Sequence, residues 1–260
     1  MKKDKEDIIE TEREESIPRT REEINRDDMI ASWQPKTELG KLVKNNQITS
    51  IDEILEQGKK ILEPQIVDIL IPNLQLEIIK VGQSKGKFGG GKRSIWKQTQ
   101  KKTKEGNKPK FATLVIVGNK DGYVGIGYGK AKETVPAREK ATRKAKLNLI
   151  KVKRACGSWA CGCSTPHSIP FKVSGKCGSV KIDLMPAPKG TKLVSEREIQ
   201  VLLSLAGFKD LYSKTYGKTK TKINLVYATF DALKKLSKFK VQKNFKDKSG
   251  LVEGSLKWKE

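Results

Sequence analysis

Residues 111–118 read Phe-Ala-Thr-Leu-Val-Ile-Val-Gly, residues 119–122 Asn-Lys-Asp-Gly, and residues 123–128 Tyr-Val-Gly-Ile-Gly-Tyr. The first run is apolar and rich in β-branched side chains, which predicts a buried strand. The second is a hairpin turn in which Gly122 can take φ > 0, and the third is the returning strand. A helix is expected over 131–149. Pro136 falls near its first turn, where a missing N–H costs little. Ala137, Ala141, Ala145 and Leu149 recur every fourth residue, a stripe of mostly small side chains that can lie close to a sheet. Lys132, Lys140, Arg143, Lys144 and Lys146 occupy the remaining surface.

Upstream, Leu74 to Val81 suits a strand, and 82–110 is Gly-, Lys- and Thr-rich without periodicity. That stretch reads as one long mobile loop, a length usually reserved for function. Strand, long loop, strand, turn, strand and helix make a three-stranded antiparallel sheet with one helix on it, which resembles a double-stranded-RNA-binding domain. Residues 169–240 read as a second α+β unit. Ile169 to Val173 and Ser179 to Leu184 are its paired strands, joined by Ser174 to Gly178. A helix over Glu196 to Ala206 ends at Gly207, followed by a short strand (Leu211 to Tyr216) and a helix (Ile223 to Leu236). The expected class is therefore α+β. The expected organisation is an acidic disordered tail (1–32), a helical N-terminal extension (33–73), a double-stranded-RNA-binding-like domain (74–154), a cysteine loop (155–168), a C-terminal α+β domain (169–240) and a basic tail (241–260). No internal repeat is visible.

Charge narrows the function. The 260 residues hold 54 Lys+Arg against 30 Asp+Glu, a net of +24. Residues 1–33 hold seven basic and eleven acidic side chains, net −4, so the remainder carries +28; residues 80–110 alone carry +10. A polyanion is the natural partner of such a body, because each phosphate neutralised by Lys or Arg releases condensed counterions. Aromatic residues make up only 6%, too few for base stacking to dominate. No apolar run approaches the roughly 18 residues of a spanning helix, and the charged N-terminus lacks the apolar core of a signal peptide. Four cysteines in a chain of this length point to a reducing compartment, the cytoplasm.

Three motifs carry chemistry. Gly86 to Arg93 mimics the phosphate loop G-x-x-x-x-G-K-[ST], but Arg93 stands where the Mg²⁺-binding hydroxyl belongs, so a nucleotidase is not expected. Lysines reaching RNA phosphates from a glycine loop fit better. Gly125, Gly127 and Gly129 alternate along a strand, suiting close backbone packing, close RNA approach, or both. Cys156, Cys161, Cys163 and His167 offer three thiolates and an imidazole, enough for tetrahedral zinc if Gly157 and Gly162 let the loop curl, with Cys177 as a substitute ligand. The other reading is a group of buried or free thiols beside a histidine that touches RNA. No base and orienting group accompany the cysteines, so a catalytic thiol is not expected.

Several stretches together resemble one family. Val115 to Ala131 (VIVGNKDGYVGIGYGKA), Ala145 to Ile150, Pro166 to Pro170, Gly175 to Val180, Pro186 to Thr191, Leu205 to Gly207 and Ala228 to Leu233 are similar, in order, to the universal small-subunit ribosomal protein five family (bacterial S-five, eukaryotic S-two). Trp33 to Val43 resembles the extension of the archaeal and eukaryotic branch, and the cysteine loop looks archaeal. The likeness covers about residues 33–238. It implies a two-domain α+β protein, with a variant double-stranded-RNA-binding domain followed by a small βαβα domain. It further implies a non-enzymatic constituent of the small subunit near the messenger entrance and decoding region, which contacts ribosomal RNA and neighbouring ribosomal proteins and supports decoding accuracy. The loop 82–110 would then correspond to the family's strand-joining loop that reaches toward the subunit neck. The chain departs from the pattern at Gln83 to Trp96, an added stretch, and at Gly190-Thr191-Lys192, where the family has Gly-Thr-Gly.

The candidate RNA contacts begin in the loop, with Lys85, Lys87, Lys92, Arg93, Lys97, Lys101, Lys102, Lys104, Lys108 and Lys110. Asn119, Gly125, Gly127, Gly129, Lys130, Lys132 and Lys144 follow around the hairpin and helix, then Lys151, Lys153 and Arg154. His167, Lys176, Lys189 and Lys192 lie in the second half. The expected partners are small-subunit ribosomal RNA, neighbouring ribosomal proteins and messenger RNA near the entry channel, with no membrane and no small-molecule substrate. The alternative function is a free-standing double-stranded-RNA-binding regulator. A zinc hydrolase or other enzyme is not expected, since Glu133 and Glu139 lie on a basic helix with no partner for acid–base work.

Overall fold

One strand of 13 residues, β3 (Gly106–Gly118), organises the first half of the chain. The computed structural model describes residues 32–83 and 93–255. The acidic segment 1–31, the run 84–92 with Lys85, Lys87 and Lys92, and residues 256–260 lie outside the described residues.

On one side β3 pairs antiparallel with β4 (Tyr123–Ala131), which pairs in turn with β5 (Leu149–Lys151). On its other side β1 (Gln75–Ile79) and β2 (Lys97–Thr103) lie one after the other, with Ile79 opposite Leu114 and Lys97 opposite Ala112. The inner half of β3 is buried on both faces, which is why it reads as continuous apolar sequence and not as an alternation. Thr113, Val115 and Val117 share a face with Gly129, Gly127 and Gly125. Against that face lies α4 (Thr134–Leu147), through Ala137, Ala141 and Ala145. Leu114, Ile116, Val124 and Ile126 point the other way, into a core shared with the second domain.

Three short helices precede this sheet: α1 (Glu38–Lys44), α2 (Ile51–Glu56) and α3 (Pro64–Leu70). Thr37 caps α1, its hydroxyl accepting from Gly40 N at 3.1 Å, and Pro64 opens α3. Their apolar residues Val43, Ile51, Ile54, Ile66, Val67 and Leu70 close over Tyr123 and Leu149 as a second core.

After β6 (Lys153–Arg154) and the cysteine loop come β7 (Val173–Cys177), β8 (Val180–Pro186), β9 (Leu193–Val194), α5 (Arg197–Leu205), β10 (Leu211–Tyr216) and α6 (Lys222–Lys238). The strands form a sheet of order β7-β8-β10-β9, antiparallel except for β10 against β9. α5 and α6 bury Ile199, Leu202, Leu203, Leu225, Phe230 and Leu233 in the same core that receives the back of the first sheet.

Three expectations change. The stretch 82–110 is not one loop, because residues 97–110 form a β-hairpin, β2 running into β3. Its faces are both exposed, so no apolar alternation marks it. The segment read as the turn Ser174 to Gly178 is mostly strand. Gly175 is a packing glycine whose Cβ would stand 2.0 Å from Ala228 O, and only Gly178 (φ +59) turns. The segment read as a basic tail from residue 241 carries secondary structure before residue 255. It forms α7 (Lys243–Ser249) and β11 (Val252–Glu253), which pairs with β6.

Candidate nucleic-acid interface and metal cluster

The hairpin 97–110 carries Lys97, Lys101, Lys102, Lys104, Lys108 and Lys110, all exposed, against one acid, Glu105. β4 stops pairing at Phe111, so among the described residues 106–110 have β2 as their only strand neighbour. The turn is held by Thr103 Oγ1 donating to Gly106 O at 2.7 Å, with Gly106 at φ +115. Lys101 lies directly opposite Lys108, and Lys97 and Lys110 share their face. Like charges placed opposite each other destabilise a two-stranded ribbon, and such ribbons are marginal alone in water. A polyanion along this face removes the repulsion and supplies the missing support.

Lys130, Lys132 and Lys144 are exposed around α4, as are Lys176, Lys189 and Lys192 in the second domain. Arg93 is half-buried, its guanidinium donating to Lys220 O at 3.4 Å. The remaining candidates are engaged within the fold. Gly125, Gly127 and Gly129 face α4: a Cβ on each would stand 2.3, 2.0 and 2.1 Å from the carbonyl oxygens of Ala145, Ala141 and Ala137. Asn119 caps the β3–β4 turn, its Oδ1 accepting from Asp121 N at 2.8 Å and Tyr123 N at 3.1 Å. Lys151 pairs with Asp52 at 3.2 Å and Glu56 at 3.0 Å. Burial works against its charge, and these two carboxylates outweigh it and hold the ammonium pKa above its ordinary value. Lys153 pairs with Glu253 at 3.2 Å. Arg154 is buried, binding Asp121 at 2.5 Å and donating to Gly254 O at 3.0 Å. These cations hold the core together and lock the C-terminal segment in place.

The cysteine loop brings Cys156, Cys161, Cys163 and His167 together, with their ligand atoms all within 4.8 Å of one another. Cys177 is on β7, outside the group. Zinc bound by thiolates at 2.3 Å and imidazole at about 2.0 Å requires ligand separations of roughly 3.5–3.8 Å, so a contraction of about 1 Å completes the tetrahedron. Cys161 Sγ and His167 Nε2 are already 3.9 Å apart. Burial pushes the Cys156 thiol up to about 11, whereas hydrogen bonds from Thr165 bring Cys163 down to about 6. His167 is 4% exposed, and its Nδ1 stands 3.0 Å from Asp210 Oδ2. A carboxylate on one imidazole nitrogen turns the other toward a metal. Asp210 did not stand out in the sequence: it lies far along the chain, and only the fold brings it to the histidine. The loop is anchored to the C-terminal segment by Cys156 N donating to Ser249 O at 2.8 Å and by Ser164 Oγ donating to Lys248 O at 2.9 Å.

Comparison with known proteins agrees with this architecture. A family model described as "Ribosomal protein S5, N-terminal domain" matches residues 95–153, and one described as "Ribosomal protein S5, C-terminal domain" matches residues 175–246. A protein named "Small ribosomal subunit protein uS5" from Nanoarchaeum equitans is 53% identical over 227 residues, 87% of this chain and 97% of its own length. Proteins of the same name from Methanocaldococcus jannaschii and Methanobrevibacter smithii are 48% and 47% identical, covering 86% and 85% of this chain and 97% of each relative.

Proposed function

The chain belongs to the ribosomal protein S5 family, and from that membership we infer that it is a structural constituent of the small ribosomal subunit, in the cytoplasm. Its partners are small-subunit ribosomal RNA and neighbouring ribosomal proteins. The family is structural, so no turnover is assigned to any residue here. The likeness spans nearly the whole length of the relatives, which favours this reading over a free-standing regulator that would need the first domain alone. No helix among the described residues is long and apolar enough to cross a membrane.

The finer reading places the protein near the messenger entrance and decoding region, with the hairpin 97–110 as its principal RNA contact. The observation that carries it is the isolated ribbon with six exposed lysines and one acid. Contacts of this kind go to phosphate and 2′-hydroxyl groups and position the protein without reading bases. Replacing Gln100–Pro109 by a two-residue Asn-Gly turn, which leaves Thr99 opposite Lys110, tests it. The shortened protein should keep its far-ultraviolet spectrum and melting temperature, yet lose most co-sedimentation with small subunits at moderate salt. Undiminished co-sedimentation would remove the hairpin from the interface.

The cluster Cys156, Cys161, Cys163 and His167 is assigned to one structural zinc, on the strength of four buried or half-buried donors gathered in one loop. Protein purified without chelator should carry about one zinc per chain, falling toward zero in Cys161→Ser. A wild-type stoichiometry near zero contradicts the site.

A further inference from the structure

Ser32, the first described residue, lines a groove of about 780 Å³ whose walls come from α3, from Leu76 of β1 and from one flank of α4. Two large apolar side chains stand open in it, Leu76 at 46% and Val135 at 63% exposure. The flank of α4 that forms the wall carries Arg138, Arg143 and Lys146; Lys140 and Lys144, further round the helix, are not part of it. Of the two acids on the wall, Asp68 is taken by Lys146 at 2.6 Å, and only Glu139 remains. Arg138 and Arg143 are exposed, and neither makes an ion pair among the described residues. The groove thus offers two unpaired guanidinium groups beside an uncovered apolar strip.

The sequence that leads into Ser32 has the complementary chemistry. Residues 22–31 read Glu-Glu-Ile-Asn-Arg-Asp-Asp-Met-Ile-Ala. They hold four carboxylates against one cation, with Ile24, Met29 and Ile30 as large apolar side chains. Guanidinium groups match carboxylates in planar, two-pronged geometry. Ten residues extend to at most about 33–36 Å, whereas the 14 residues of α4 span only about 21 Å. Every cation of the wall is therefore within reach of the segment. Because it is tethered at the groove itself, its effective concentration there is in the millimolar range. A second copy of the chain has no such advantage and is repelled by a net charge of +24.

We propose that residues 22–31 fold back into this groove as a strap across α3, β1 and α4. Glu22, Glu23, Asp27 and Asp28 meet Arg138 and Arg143, while Ile24, Met29 and Ile30 cover Leu76 and Val135. The contact is made within one chain, and it stands or falls apart from the chain's place in the ribosome. It also gives the acidic start of a basic protein a defined role, since the strap ties the N-terminal extension to the RNA-binding-like domain.

The test places a benzophenone photocrosslinker at position 24 of the full-length protein, in dilute solution at low salt, and maps the crosslinked peptides by mass spectrometry. Crosslinks within one chain, to residues 64–76 and 134–147, are expected. Their yield should fall about fivefold in a groove variant (Arg138→Gln, Arg143→Gln) and in a strap variant (Glu22→Gln, Glu23→Gln, Asp27→Asn, Asp28→Asn), as the loss of several exposed ion pairs requires. It should also fall in about 1 M salt, where screening acts within roughly 3 Å. All the substituted wall positions are exposed, so an unchanged far-ultraviolet spectrum separates loss of contact from loss of fold. Crosslinks scattered over the surface overturn the proposal, as do crosslinks that join two copies. A yield that neither variant changes overturns it as well.

Discussion

Gly127 shows how much one missing Cβ decides. An added methyl there would stand 2.0 Å from Ala141 O and 2.3 Å from Ala145 N, so strand and helix must separate. Gly127→Ala should cost about 3 kcal/mol or more by overpacking, lowering the melting temperature by roughly 6–12 °C for a chain of this size. Gly162→Ala is the control, since nothing lies within 4 Å of its Cβ position; its melting temperature should match wild type. Tyr123 gives a pH signature. Burial, then the Asp52 carboxylate that accepts its hydroxyl at 2.6 Å, raises its pKa well above the ordinary phenol. The folded phenol stays neutral while an unfolded one ionises near about 10. Its stabilisation is therefore complete below about pH 10 and is lost as pH rises beyond it. Tyr123→Phe should be less stable by about 1 kcal/mol at pH 8 and should melt with a shallower loss between about pH 10 and 11. Parallel melting curves for the two proteins would contradict this.

At the scale of elements, legibility followed burial. Phe111 to Gly118 was readable as a strand because both faces are covered, and α4 because its alanines face a sheet. The hairpin 97–110 was not, since exposed strands paired through backbone alone leave no hydrophobic period; the Lys104-Glu105-Gly106 turn was its only local sign. Gly125, Gly127 and Gly129 were legible as tight packing, but their partners on α4 emerge only in three dimensions. The four donors of the cysteine loop were legible by residue type, and Asp210 was not. The C-terminal segment reads in sequence as a basic tail because its partners, Cys156, Ser164 and Arg154, sit about a hundred residues earlier. Ending the chain at residue 240 should lower stability by about 2–4 kcal/mol, as the buried Arg154 loses its Gly254 acceptor. Denaturant unfolding reads this directly, and an unchanged midpoint would mean that the segment is not held.

At the scale of the whole molecule, charge and core are divided. A single apolar core runs from Ile79, Leu114 and Ile126 through Leu203 to Leu233, so the two domains are welded and present their cations as one fixed surface. The cations around that core that pair with carboxylates serve the fold. The exposed ones on the hairpin and on α4 face solvent, as the proposed contact with phosphate requires. A net charge of +24 strains an isolated chain through self-repulsion and suits one embedded in RNA. The most direct measurement is a density map of the assembled small subunit containing this protein. The account predicts the hairpin 97–110 in contact with ribosomal RNA, with phosphates beside Lys101 and Lys108. A hairpin projecting into solvent, or covered by protein alone, would contradict it.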